Sequence, residues 1–271
     1  MTTISPKQAK FRKQLLLPAE HGSWSWLLVP YFVGVAVGGG LNIATIFLLI
    51  GGLALFLLRQ PATVWLRIKQ GKGRKSDRPI VQKLLIGLGS IAVLSFVVLL
   101  SLGLFELFVL AIPVFVLLIV YALAAISKQT SVRNLWMELA GAAGLALMAP
   151  AAMIAAKGQL LPVVWMVFGL MALLNVLGVF YVRLRIADTH DRPSSRTLVL
   201  WGHIVGGTAV ILLAVLQLIP LLATLPFIGL LIRAIWAYPQ PRPIPNVKKF
   251  GFTEVGVEIV AGIIIVAAYL Q

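Results

Sequence analysis

The chain alternates between long apolar stretches and short basic segments. Two stretches without Asp, Glu, Lys or Arg, residues 22–58 and 197–232, contain 37 and 36 residues. A helix of that length extends about 55 Å, whereas one membrane crossing needs only about 20 residues. The triplet Gly38-Gly39-Gly40 divides the first stretch, and the segment 217–220, which ends in proline, divides the second. Each stretch is therefore predicted to form two spans.

Five further apolar segments are long enough for one crossing each, at residues 84–105, 107–127, 135–156, 160–182 and 252–270. The pattern predicts an all-α polytopic membrane bundle of about nine transmembrane helices. Residues 1–271 then form a single integral membrane domain. Within it, residues 1–21 are a cytoplasmic N-terminal segment, and residues 59–83 and 183–196 are basic cytoplasmic loops.

Composition and charge agree with this topology. The chain is 60% hydrophobic and 11% charged, whereas soluble domains are about 25% charged. Nine spans place 22 of the 23 Lys and Arg residues on one side, with Lys157 on the other. Because basic residues concentrate in cytoplasmic loops, this predicts a cytoplasmic N-terminus and an external C-terminus. The rule also accounts for the net charge of +15, so no nucleic-acid partner is expected.

Acidic residues inside or beside spans are candidate functional groups, because a charge at a helix centre costs about 2.5 to 3.5 kcal/mol. Glu138 and Glu258 lie within predicted spans, and Glu20 precedes the first span together with His21. These four residues are the candidate catalytic groups, the acids as proton acceptors and His21 as a general base. The alternative is structural: acids favour helix N-termini and pair with nearby arginines.

Residues 17–24 read Leu-Pro-Ala-Glu-His-Gly-Ser-Trp, and residues 59–61, 180–183 and 250–254 carry further short motifs. These motifs resemble the YwiC-like family of bacterial membrane proteins, which has no established activity. The resemblance implies a multi-pass protein of the bacterial inner membrane.

A more distant resemblance concerns the two polar loops. Residues 74–80 (Arg-Lys-Ser-Asp-Arg-Pro-Ile) and 188–198 (Asp-Thr-His-Asp-Arg and onwards) are similar to the acidic motifs of UbiA-type intramembrane prenyltransferases. The resemblance implies that Asp188 and Asp191 hold Mg²⁺. It also implies that basic residues near the motifs bind phosphate, namely Arg59, Arg67, Arg78, Arg183 and Arg192. Residues 59–65 contain no acid, so half of the usual magnesium site is missing.

Two functions follow as alternatives. The first is a cytoplasmic-side cavity for an anionic amphiphile such as an isoprenoid diphosphate, with or without turnover. The second is a small transporter or membrane-complex subunit that uses Glu138 and Glu258. Seven of the eight acids lie at one predicted face, which favours a one-sided cavity. That hypothesis predicts that Asp188 and Asp191 face Arg78 and Glu20 across one pocket.

Overall fold

The computed structural model describes residues 12–17, 22–126 and 135–271, and the regular structure in these ranges is helical throughout. Short 3-10 helices occupy Lys13–Leu15, Lys75–Asp77 and Leu221–Thr224. The α-helices are α1 (Gly22–Val37), α2 (Ile43–Lys69), α3 (Arg78–Ser101), α4 (Leu107–Ile126), α5 (Leu135–Leu145), α6 (Met148–Lys157), α7 (Val163–Thr189), α8 (Arg196–Val215), α9 (Leu225–Ala237) and α10 (Val247–Tyr269).

The predicted polytopic helical bundle is confirmed, and each of the nine predicted spans coincides with a helical segment. Six segments are long and apolar enough to cross a membrane, among them the combined segment Leu135–Lys157. Three further apolar stretches are shorter, namely Gly22–Val37, the part Leu107–Val120 of α4, and Leu221–Ala237. The chain is therefore a multi-pass membrane protein.

The helices differ from the predicted spans in two respects. First, α2 and α7 continue to Lys69 and Thr189, so the connections are shorter than the predicted loops 59–83 and 183–196. A helix of 27 residues extends about 40 Å, beyond the roughly 30 Å of hydrocarbon, and its basic last turns reach the headgroup region. Second, the fifth span breaks between α5 and α6. Pro150 lies four residues after Ala146, whose carbonyl its ring would meet in a continuous helix.

Helix α6 lies at the centre of the bundle, and eight of its ten residues are buried. It packs closely on α1, where Gly34 and Gly38 face it. A Cβ atom at Gly34 would lie 2.2 Å from the Ala149 carbonyl oxygen, and one at Gly38 would lie 2.8 Å from the Ala156 Cβ. Glycines four residues apart therefore let the two backbones approach, as is common between membrane helices.

We expect Gly34→Ala to lower the free energy of unfolding in detergent by about 2 kcal/mol. The added methyl group must push α1 away from the backbone of α6, and this overpacking outweighs the roughly 1 kcal/mol that alanine gains in helix propensity. The control is Gly87→Ala on α3, where a Cβ meets nothing within 4 Å. Equal stability of the two variants would contradict the close α1–α6 contact.

The connections α2–α3, α7–α8 and α9–α10 lie at one end of the bundle, called the basic end from here on. Arg12, beside the first 3-10 helix, forms an ion pair with Asp77 of the α2–α3 connection. The Arg185 Nε donates to the Arg242 carbonyl at 3.0 Å, which joins α7 to the α9–α10 connection. The basic end thus has two sets of contacts, one around α2–α3 and one around α7–α10.

Candidate functional site

Asp188, near the end of α7, anchors the connection between α9 and α10. Its carboxylate forms an ion pair with Arg196 of α8 and accepts a hydrogen bond from the Arg242 backbone N–H at 2.8 Å. The neighbouring Thr189 hydroxyl accepts from the Ile244 N–H at 2.9 Å. The Asp188 side chain is only 4% exposed. Both of its oxygens are therefore used to hold the chain against α7.

These contacts do not fit the predicted magnesium site. Each Asp188 oxygen already has a donor, and Asp191 is exposed after the end of α7 with a backbone φ of 49°. Within residues 12–17, 22–126 and 135–271 there is no group of three or more His, Asp or Glu side chains arranged to hold a metal ion. Asp188 is better explained as a structural carboxylate.

A second ion pair lies deeper, between the last two helices. The Arg233 Nη2 of α9 donates to both carboxylate oxygens of Glu254 in α10, at 2.5 and 2.6 Å. The two side chains are 23% and 15% exposed. The Arg233 Nη1 is buried and has no hydrogen-bond partner among the described residues. Arg233 is thus fixed by Glu254, and part of its side chain remains exposed.

Aromatic rings contact Arg233 and two further arginines. The Arg233 guanidinium lies 4.1 Å from the Tyr181 ring centroid, and that of Arg185 lies 5.6 Å from the same ring. The Trp236 ring centroid lies 5.3 Å from the Arg185 guanidinium and 3.9 Å from that of Arg242. Cation–π contacts of this kind stabilise guanidinium groups that would otherwise only repel one another. The result is a row of cations at the basic end.

An apolar groove runs from this row along the surface between α9 and α10. Its volume is about 560 Å³. It is lined from α9 by Leu225, Pro226, Gly229, Leu230 and Arg233, and from α10 by Thr253, Gly256, Val257, Val260, Ala261 and Ile264.

The groove has one polar end and one apolar end. Arg233 and Thr253 lie at the polar end, nearest the basic end of the bundle, and Leu225 and Ile264 lie at the other. Eleven residues separate Thr253 from Ile264, which corresponds to about 16 Å of helix. One turn beyond Thr253, on the same face of α10, is the exposed Lys249. The groove therefore combines an apolar channel with a cationic mouth.

A second cavity, of about 610 Å³, lies at the opposite end of the bundle. It is lined by residues 214–215 and 217–221, between α8 and the 3-10 helix before α9. Gln217 is the one residue with a polar side chain in this lining. Because the cavity has no charged group, it offers little chemistry beyond apolar contact.

The other predicted site residues are dispersed. Glu138, a candidate proton acceptor, is paired with the candidate phosphate ligand Arg183, whose Nη1 donates to it at 2.7 Å. Glu258 is buried, and its Oε2 lies 2.6 Å from the Ser25 Oγ. The remaining phosphate candidates are exposed side chains, namely Arg59, Arg67, Arg78 and Arg192. Glu20 and His21 lie outside the described residues.

The predicted single pocket, with Asp188 and Asp191 facing Arg78 and Glu20, does not form among the described residues. Asp188 is enclosed by α8 and the α9–α10 connection, whereas Arg78 begins α3, which packs mainly on α2. The two polar loops are joined to different neighbours because α2 and α3 form a hairpin at the side of the bundle. The two loops that resemble UbiA-type motifs therefore lie apart in the structure.

Sequence reasoning missed Arg233, Arg185 and Arg242, which were counted only as loop charges. A signal was present for Arg233. It directly follows an uncharged stretch that ends at residue 232, while Glu254 lies within the next span. Charges at similar depth in consecutive antiparallel spans are expected to pair, because an unpaired charge there is costly. No comparable signal places Arg185 over Trp236.

The fold and the site define a polytopic all-α membrane protein with a cationic cluster at one end. Comparison with known proteins gives the family. The family described as YwiC-like protein matches residues 17–153, just over half of the chain. The chain therefore belongs to the YwiC-like family, and the predicted family membership is confirmed.

One curated relative is the "Uncharacterized protein YwiC" of Bacillus subtilis (strain 168), which is 42% identical over 57 residues. That alignment covers 21% of this chain and 23% of the relative. No solved structure matches the chain. The family match ends within α6, so the groove between α9 and α10 lies beyond it.

Proposed function

We propose that this protein binds an anionic amphiphile at the basic end, with the apolar chain in the α9–α10 groove and the anionic headgroup at Arg233. The observation that carries the proposal is the position of Arg233, whose side chain is 23% exposed, at one end of an otherwise apolar groove. Isoprenoid diphosphates are the ligand class that matches this combination of an apolar chain and a strong anion. Turnover is not part of the proposal.

Charge at the mouth of the groove supports this assignment. Arg233 lies in the lining of the groove, and the exposed Lys249 lies one turn before Thr253 on α10. The nearby acids are already paired, Glu254 with Arg233 and Asp188 with Arg196. Hydrogen bonds from guanidinium to phosphate are charge-assisted and directional. Since basic loops face the cytoplasm, we infer that the mouth opens on the cytoplasmic side of the bacterial inner membrane.

We expect the purified protein in detergent to be stabilised by farnesyl or geranylgeranyl diphosphate. At a free ligand concentration of 100 times Kd, the free energy of unfolding rises by about 2.7 kcal/mol, since the ligand binds only the folded state. Prenyl alcohols of equal chain length and inorganic diphosphate produce smaller shifts, because each lacks one half of the recognised structure. An anionic phospholipid is also added, to test whether any anionic amphiphile stabilises the protein.

A groove-filling variant makes this test specific. Gly256→Leu places a side chain in the groove, where a Cβ meets nothing within 4 Å, so the fold is retained while ligand stabilisation is lost. Gly87→Leu on α3 is the matched control, because Gly87 is equally unobstructed and lies away from the groove. Equal ligand stabilisation of Gly256→Leu and Gly87→Leu would refute the proposed location.

A transporter is the second candidate, and one observation favours it. Glu258 is 7% exposed inside the bundle, as expected for an ion-translocating carboxyl group. Glu138 does not add to this candidate, because it is exposed at the basic end and already paired with Arg183. A single buried carboxyl defines a site but no pathway, so amphiphile binding remains the better-supported function.

A further inference from the structure

We infer that Glu258 is a proton-binding site that joins α1 to α10. The Ser25 hydroxyl of α1 lies between two acceptors. Its Oγ lies 2.9 Å from the Gly22 carbonyl oxygen and 2.6 Å from the Glu258 Oε2. A carbonyl and a carboxylate both only accept hydrogen bonds, yet a hydroxyl has one hydrogen to donate. With one hydrogen, both acceptors must share it, whereas a second hydrogen makes each contact a full hydrogen bond.

The second hydrogen belongs on the Glu258 carboxyl group. The Ser25 hydroxyl then donates to the Gly22 carbonyl, and the protonated Glu258 Oε2 donates to the Ser25 Oγ. The 2.6 Å separation suits a hydrogen bond between two oxygens. With an ionised carboxylate, the Gly22 carbonyl and the Glu258 Oε2 would share one hydroxyl hydrogen. The hydrogen count therefore favours a neutral carboxylic acid at this position.

The surroundings of the carboxyl group agree with this assignment. Glu258 is 7% exposed, and its Oε1 is buried without a hydrogen-bond partner among the described residues. An orphaned neutral carbonyl oxygen costs far less than a buried, poorly solvated carboxylate oxygen. The partner that Glu258 does have, Ser25, is itself buried.

The charged groups nearby do not compensate a negative charge on Glu258. On its own helix, Glu254 is one turn away and adds like charge. From α9, the Arg233 Nη2 is bound to both Glu254 oxygens. The described part of α1 contributes Ser25 and no cation, and the 3-10 helix Leu221–Thr224 contributes no titratable side chain. A proton is thus the cation that this site takes.

The proton links two helices that pack in the centre of the bundle. When it is bound, α1 and α10 share a complete hydrogen-bond chain from the Gly22 carbonyl through Ser25 to Glu258. When it leaves, two acceptors compete for one hydroxyl hydrogen, and the α1–α10 contact weakens. This site does not depend on the amphiphile groove, since Glu258 bonds to α1 whereas the groove residues of α10 line the surface toward α9.

Infrared spectroscopy of the purified protein at neutral pH tests the site. We expect a carbonyl stretching band of a protonated carboxylic acid in the wild-type protein, lost in Glu258→Gln and retained in Glu254→Gln. The glutamine amide at position 258 still donates to the Ser25 Oγ, so Glu258→Gln folds with an unchanged melting temperature. Glu254→Gln is the matched control on the same helix, because the Glu254 carboxylate is paired with Arg233.

Ser25→Ala provides a second, independent variant. It removes the acceptor of the acid hydrogen, so the band remains and changes frequency. The inference is overturned if the wild-type protein shows no protonated-carboxyl band, or if the band persists unchanged in Glu258→Gln. A band that is lost in Glu254→Gln and kept in Glu258→Gln would place the proton on Glu254. That result would also overturn the inference.

Discussion

Asp188→Asn is expected to lower the free energy of unfolding in detergent by about 3 kcal/mol. The substitution leaves the Arg196 guanidinium, 21% exposed, without its carboxylate, and breaking a buried ion pair costs about 3 to 5 kcal/mol. It also places an amide near the Arg242 N–H, which now donates to Asp188 Oδ2 at 2.8 Å. The connection between α9 and α10 is then held on α7 mainly by the contacts of Arg185 and Thr189.

Asp191→Asn is the matched control for this measurement. Asp191 is exposed, and asparagine adopts its backbone φ of 49° as readily as aspartate does, so the variant stays within about 0.5 kcal/mol of wild type. Unfolding is measured with Mg²⁺ and with a chelator. A structural carboxylate predicts the same loss in both conditions. A loss that requires Mg²⁺, and that both variants share, would restore the magnesium site implied by the UbiA-like motif.

Arg233→Ala is expected to cost about 2 to 3 kcal/mol of unfolding free energy. The change strands the Glu254 carboxylate, which is 15% exposed and receives both of its short contacts from Arg233. The cost is below that of a fully buried pair because water reaches part of both side chains. It also removes the cation–π contact with Tyr181, at 4.1 Å.

Two further variants test whether the stability loss in Arg233→Ala comes from the buried pair or from the removal of any charge. Arg183→Ala breaks the more exposed pair with Glu138, whose side chains are 42% and 36% exposed, and should cost under about 1 kcal/mol. The double variant Arg233→Met/Glu254→Leu replaces both charges by apolar groups and should recover most of the stability, since no charge is stranded. Equal losses of unfolding free energy in Arg183→Ala and Arg233→Ala would show that burial does not strengthen the Arg233–Glu254 pair.

The sequence predicted the helices well because the membrane imposes a length and a polarity on each span. Even the difficult breaks, at Gly38-Gly39-Gly40 and near Gln217, lie where α1 and α8 end. The charge pattern also located the end of the bundle where the ion pairs gather. These features depend on local composition, which a single sequence carries in full.

The partners of the polar side chains were much less predictable. Asp188 and Arg78 were expected to meet, yet Asp188 pairs with Arg196, eight residues away, because α7 and α8 form a hairpin. Glu138 and Arg183 were assigned separate roles although α5 packs on α7 and brings them together. Such pairs depend on which helices are neighbours, and spacing along the chain does not determine that. The groove had no sequence signal beyond glycines at positions 229 and 256.

The most direct test of binding in the α9–α10 groove is to map where an isoprenoid diphosphate contacts the protein. A photoactivatable analogue with the reactive group on the prenyl chain is added to the protein in lipid nanodiscs, and the labelled peptides are identified by mass spectrometry. Binding in the α9–α10 groove predicts labelling of residues 225–233 in α9 and 253–264 in α10. Excess unlabelled prenyl diphosphate should suppress this labelling, and the prenyl alcohol should not. Labelling confined to residues 183–196, or spread over lipid-facing helices without competition, would contradict it.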